Sequence, residues 1–186
     1  MRSGSISGHH LQPEGTEMAK ADGIFLFIGT YPSEAEARAD YQVVKELHSE
    51  GAVGTYDAAV ITKDDKGKVH VDKDETATRH WGWGGAGIGA VVGLLFPPSI
   101  IGTALVGGAI GAVSGHIARG LSRSDVKELG DLIDEGEAAL LIIGESTVEA
   151  AIDKAELKAE KRVAKQLDVS AKDVDAAVKD ATGEVS

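Results

Sequence analysis

Apolar positions change period several times along the chain, and each change predicts an element. Residues 24–30 (IFLFIGT) form a short continuous apolar run, rich in β-branched and aromatic side chains, which predicts a buried strand. Ser33 and Glu36 then make a capping box. Ala37, Tyr41, Val44 and Leu47 recur at helical spacing, so a helix is expected to run to Gly51. Residues 56–63 (YDAAVITK) predict a second strand, 64–67 (DDKG) a turn, and 68–72 (KVHVD) an alternating hairpin partner. Further on, Ser124 can cap a helix carrying Leu129, Leu132 and Ile133 and ending at Gly136, and residues 138–144 (AALLIIG) predict a fully apolar fourth strand. Ser146 and Glu149 repeat the capping-box spacing and open a long helix with Val148, Ile152, Ala155, Ala159, Val163 and Leu167 inward. Ser170 and Asp173 mark a last short helix that frays into a polar tail.

Between the third strand and the following helix lies a segment of a different kind. From His80 to Ala118, 39 residues pass without an Asp, Glu, Lys or Arg. Two glycine ladders at four-residue spacing run through it, Gly85, Gly89 and Gly93, then Gly107, Gly111 and Gly115. On a helix each ladder makes one strip of bare backbone, the feature that lets helices approach closely. Pro97 and Pro98 separate the ladders and are expected to form the turn of a helical hairpin. Its arms, residues 80–96 and 99–118, would measure about 25 and 30 Å, near the thickness of a bilayer core. Trp81 and Trp83 stand at the near end, with Arg79, Arg119 and Arg123 bracketing the hairpin on the same side, as interfacial anchors would. Glycine adds little transfer energy, so the alternative is a soluble assembly in which the hairpins bury one another.

The order strand, helix, strand, strand, helix, strand, helix predicts an α+β fold, a ferredoxin-like βαββαβ domain with an inserted glycine-zipper hairpin and a C-terminal helix. In this reading residues 1–21 are a leader or added extension, 22–79 and 120–150 the discontinuous ferredoxin-like domain, 80–119 the hairpin, and 151–186 a C-terminal helical extension. The helices would cover one face of the sheet and leave the other free, which suggests dimerisation.

Composition narrows the functional classes. A net charge of -11 speaks against nucleic acid as a partner, because binding a phosphate backbone needs a basic surface. The absence of Cys removes disulfides, thiolate nucleophiles and Cys metal sites. Gly82-Trp83-Gly84-Gly85-Ala86-Gly87 matches G-x-G-x-x-G in form, but no acidic residue follows about 20 positions on, as a dinucleotide site requires. Asp64, Asp65, Asp72, Asp74 and Glu75, with His70 and His80, are interspersed with Lys63, Lys66, Lys68 and Lys73, so they read as mixed surface charge rather than a metal site. His116, one residue past the second ladder, reads as an interfacial residue with a local hydrogen bond. No catalytic triad, nucleophile elbow or phosphate loop is present, and no cofactor is implied.

The segments IFLFIGTYPSEAEARADYQVVKEL, YDAAVITKDDKGKVHV and GAVVGLLFPPSIIGTALVGGAIGAVSGHIARGLSRSDVKELGDLIDEGEAALLIIGES resemble the bacterial domain of unknown function 1269 family over residues 22–150. GLLFPP and DLIDEGEAALLI are the most distinctive parts of the likeness. The resemblance implies a predicted membrane protein of no established activity, and it carries over no catalytic residue. The expectation is a non-enzymatic protein of a cytoplasmic domain at the inner membrane, its hairpin mediating close helix packing, with itself and a lipid bilayer as partners. The alternatives are a soluble cytoplasmic homo-oligomeric ring or shell with buried hairpins, and a ligand- or metal-sensing regulator.

Overall fold

The structure is a computed structural model that describes residues 23–72, 83–102, 109–135 and 138–182. In chain order its elements are β1 (Gly23–Tyr31), α1 (Glu34–Ser49), β2 (Tyr56–Lys63), β3 (Val69–Asp72), α2 (Ala86–Leu95), α3 (Ala109–Gly120), α4 (Arg123–Glu135), β4 (Ala138–Glu145), α5 (Thr147–Ala155), β5 (Lys161–Ser170) and α6 (Ala171–Thr182). The five strands make one sheet in the order β3-β2-β4-β1-β5, with every pairing antiparallel. The protein is therefore α+β.

Both faces of this sheet are covered. On one face Phe25, Phe27, Ala58, Val60, Leu140 and Ile142 pack with Ala37, Tyr41 and Val44 of α1 and Val148, Ala151 and Ile152 of α5. On the other, Ile24, Leu26, Ile28, Ala59, Ile61, Leu141 and Ile143 meet α2, α3, α4 and α6 through Ile88, Val91, Val113, Ile117, Leu129, Ile133 and Val174. This corrects the expectation of a free sheet face. The glycine-rich helices themselves supply the second layer. It also explains why β1 and β4 are continuous apolar runs rather than alternating ones, since side chains pointing either way enter a core.

Local signals account for most boundaries. Ser33 Oγ accepts from Glu36 N at 3.3 Å and starts α1 where its spacing predicts. At α4 the capping residue lies two positions earlier than expected. Ser122 Oγ accepts from Asp125 N at 3.1 Å, and the Asp125 carboxylate accepts from Ser122 N at 2.8 Å. Ser124 lies inside the first turn instead, and Gly136, expected to end the helix, is outside the described residues. Ser146 also makes no side-chain cap bond, and Glu149 accepts from Gln166 Nε2 at 2.5 Å rather than closing a capping box.

The largest difference is at the C-terminal side. The long helix expected from Ser146 stops at Ala155, where Glu156 turns into the left-handed region (φ 48°). Residues 161–170 are then a strand paired along β1, with Ile28 opposite Val163 and Ile24 opposite Leu167. Asp40, buried in α1, holds the turn between them by accepting from Lys158 N at 2.5 Å and from Tyr31 Oη at 2.9 Å. Residues 151–186 are thus not a helical extension throughout, because their middle is an edge strand of the main sheet.

Candidate functional site

The glycine-rich segment begins, among the described residues, at Trp83. Its indole is 3% exposed, and Nε1 donates to the Asp175 carboxylate of α6. Gly84 and Gly85 follow with φ of 65° and 79°, a left-handed pair that a side chain would strain. Gly85 is the N-cap of α2 and has no side chain to satisfy the helix's first N–H groups. Asp57 of β2 fills that role from below. Its carboxylate, on a residue 1% exposed, accepts from Gly85 N at 3.3 Å and Gly87 N at 3.0 Å. Asp57 lies opposite Ile143 in the sheet, so a strand residue pins the helix to the layer it covers.

Glycine at 87 allows this approach. A Cβ there would come to 2.9 Å from Ile143 Cγ2, 3.0 Å from Trp83 Cε3 and 3.1 Å from Asp57 Oδ2. The ladder positions behave differently from one another. Gly89 is buried in α2, its N–H bonded to Gly85 O at 2.9 Å. Gly93 and Gly115 are exposed, and a Cβ at either would meet open space. Gly111 lies within α3, whereas Gly107, Trp81 and Arg79 are outside the described residues. Arg119 is exposed near the end of α3, where it donates to Gly115 O at 3.1 Å and contacts His116 Nδ1 at 2.8 Å.

α2 packs with α3 and is shorter than the arm expected from sequence, its 10 residues corresponding to about 15 Å; the 12 described residues of α3 correspond to about 18 Å. Among the described residues no helix is long and apolar enough to cross a membrane. Phe96 and Pro97 are extended, Pro98–Ile100 makes one 3-10 turn, and the chain then docks on the edge of β3. Ile101 bridges Val69 in parallel, with Gly102 N donating to Val69 O at 2.7 Å. Lys68 Nζ donates to Ser99 O at 2.6 Å, and Lys63 Nζ stands 5.3 Å from the centre of the Phe96 ring. Burial there lowers the Lys63 pKa.

Pro97 and Pro98 therefore form the apex of an apolar tip. Both are exposed, and half-buried Leu94, Leu95, Ile100 and Ile101 surround them at the margin of the core. The β2–β3 turn stands beside this tip. In it the Asp64 carboxylate accepts from Lys66 N and Lys68 N, each at 2.9 Å, and lies 3.0 Å from His70 Nε2. The His70 contact first, then the two backbone donors, hold the Asp64 pKa down to about 2. Among the described residues no three His, Asp or Glu side chains converge as metal ligands would. An open concavity of about 450 Å³ is lined by Ser124, Lys127, Glu128, Asp131, Leu132 and Val163, with Lys127 paired to Asp131.

The sequence reading singled out the ladders, the prolines and the tryptophans, and passed over Asp57 and Asp40. The available signal for Asp57 was an acidic residue within an apolar strand run, facing a helix start that has only glycines to cap it. No curated protein and no solved structure matches the chain. Residues 82–179 match the family described as "Protein of unknown function (DUF1269)", just over half of the chain. The match leaves out β1 to β3, where part of the resemblance was placed, and takes in β5 and most of α6, which the resemblance had left aside. The chain belongs to the DUF1269 family.

Proposed function

We propose that this chain is a non-enzymatic, self-assembling protein that meets a membrane at its surface through the 94–101 tip, with its hairpin folded on its own sheet. The observation that carries the reading is the placement of apolar surface. Among the described residues, most of the uncharged segment's large side chains are spent against the sheet, while Leu94, Leu95, Ile100 and Ile101 with Pro97 and Pro98 gather at one exposed end. Contiguous apolar surface of this kind marks a contact with lipid or protein. The two buried acids, Asp57 and Asp40, serve backbone N–H groups and a tyrosine, a structural use rather than a catalytic one.

The fold is read here as ferredoxin-like. The order β2-β4-β1-β5, with α1 and α5 on one face, supports a βαββαβ unit; β3, α2, α3 and α4 are then an insertion between its second and third strands. The glycine-zipper reading is supported within the chain by the pairing of α2 with α3, and exposed Gly93 and Gly115 favour a second reading, a soluble homo-oligomer that closes over those strips.

Fractionation of cells making the native protein tests the leading reading. The expected result is retention on washed membranes and release by alkaline carbonate, as for a peripheral protein. Complete recovery in the soluble fraction as a large detergent-free species would replace it with the soluble assembly.

A further inference from the structure

We infer that two copies of this chain join through the outer edge of β5, each β5 lying antiparallel to that of the second copy so that the two sheets become one. This rests on the self-assembly in the reading above and leaves its membrane contact aside. β5 closes one side of the sheet and, among the described residues, no strand pairs with its outer edge. The opposite edge is β3, four residues long and met by Ile101 at Val69. Charges on an edge normally discourage pairing, but those of β5 permit it in one register. With the two-fold axis at Lys165, Arg162 faces Asp168 of the second copy and Val163 faces Leu167, each pair occurring twice. Arg162 and Asp168 are exposed on one face of the strand, and neither makes an ion pair with another described residue. Val163 and Leu167 lie on the other face. Lys165 would meet its own copy at the axis, and its charge is already balanced by Asp125 and by Glu128, the latter at 3.0 Å. Moving the axis by one residue sets Lys165 against Val163 or Leu167 and parts Arg162 from Asp168. Residues 163–167 keep a regular register with β1, and the shift before Ser170 leaves Asp168 in a bulge that a long arginine side chain can reach. Val163 also lines, with Leu132, the open concavity beside α4, so apolar surface adjoins the place where Leu167 of the second copy arrives. The net charge of -11 opposes contact between copies in general, and β5 offsets it locally with Lys161, Arg162 and Lys165 against Asp168.

Sedimentation equilibrium of the full chain over a range of concentrations gives the dissociation constant of this pairing. Arg162→Glu and Asp168→Arg each set like charges opposite one another at both ends of the contact and should raise that constant about tenfold. The double variant Arg162→Glu/Asp168→Arg restores opposite charges and should bring it back to within about twofold of wild type. Lys154→Glu, exposed on α5, makes the same change of charge as Arg162→Glu elsewhere and should leave it unmoved. The chain has no Cys, so a disulfide reports contact between introduced thiols alone. Ala164→Cys and Gln166→Cys, mixed and oxidised, should cross-link more than either does by itself, because position 164 faces 166 and neither faces its own copy. Association that ignores both single reversals, or that the double variant fails to restore, would overturn the inference and leave self-assembly to another surface. So would cross-linking of the mixture no greater than that of the separate variants. A wild type that stays monomeric at every concentration would remove both this pairing and the self-assembly reading.

Discussion

Removing the Asp57 carboxylate should loosen the glycine-rich layer from the sheet before it loosens anything else. In Asp57→Ala, the N–H groups of Gly85 and Gly87 lose their acceptor inside a site that is 1% exposed. An orphaned buried donor costs about 1–3 kcal/mol, and the loss of an N-cap by itself costs about 0.5–2 kcal/mol. The two bonds are unequal, at 3.0 Å to Gly87 and 3.3 Å to Gly85, so the second contributes less. Relief of the carboxylate's own desolvation offsets part of the loss. The net destabilisation expected is about 3 kcal/mol, a fall in Tm of about 6–12 °C for a chain of this size. Asp57→Asn keeps one acceptor oxygen but turns an NH2 toward the other buried N–H, so it too should destabilise. Urea unfolding measures the magnitude, and native-state amide exchange locates it. The amides of α2 should lose protection in the variant while those of α1 and β1 keep theirs. An alanine variant within about 0.5 kcal/mol of wild type, or an even loss of protection across both layers, would refute the assignment of Asp57 as the anchor.

The remaining expectations concern glycine placement and pH. Gly93→Ala and Gly115→Ala should each stabilise the isolated chain by up to about 1 kcal/mol, since a Cβ there meets open space and glycine is the poorer helix former. Gly87→Ala should instead destabilise it by about 1–3 kcal/mol, because the added carbon meets Ile143, Trp83 and Asp57; thermal melts of the three variants check both signs. Burial, then the hydrogen bond and charge of Asp40, raises the Tyr31 pKa above the usual tyrosine range. Stability should therefore be full below about pH 10 and fall as pH rises beyond it, and Tyr31→Phe should abolish that alkaline slope in urea titrations. The Asp125 pKa is held down to about 2 by Lys165 first and by Ser122 next. Its contribution is present above the ordinary carboxylate pKa and is lost as pH falls toward 2. Asp125→Asn should flatten that acid limb, more visibly at low salt.

How far the sequence discloses this fold depends on whether a residue's neighbours along the chain are also its neighbours in space. β2, β4 and α1 were legible because period, strand composition and the Ser33 cap all agree locally. β5 was not. Residues 155–162 (AELKAEKR) are strong helix formers without Gly or Pro, and Val163 and Leu167 also satisfy helical spacing. The strand wins through tertiary bonds invisible to propensity, namely pairing with β1 and the grip of Asp40 on Lys158 N. The alternation of half-buried Val163 and buried Leu167 and Val169 with exposed Ala164, Gln166 and Asp168 was the competing signal. The anchor of the candidate site was hidden for the same reason, since Asp57 and Gly87 meet only when β2 and α2 stack.

The glycine-rich segment shows why composition left two environments open. From Ala86 to Val92 every residue of α2 is buried, and a helix apolar all round belongs either in lipid or in the middle of a layered protein. Length separates the two cases, because about 20 residues are needed to span a bilayer core and α2 has 10. Close approach then explains the glycines. A helix held between a sheet and a second helix needs small residues where backbones converge, and Gly87 sits where β4, Trp83 and Asp57 crowd it. That requirement ends before Gly93, which faces open space, and the same is true of Gly115. Packing among the described residues therefore accounts for glycine at 87 and gives no reason for it at 93 or 115, where alanine would serve the helix better.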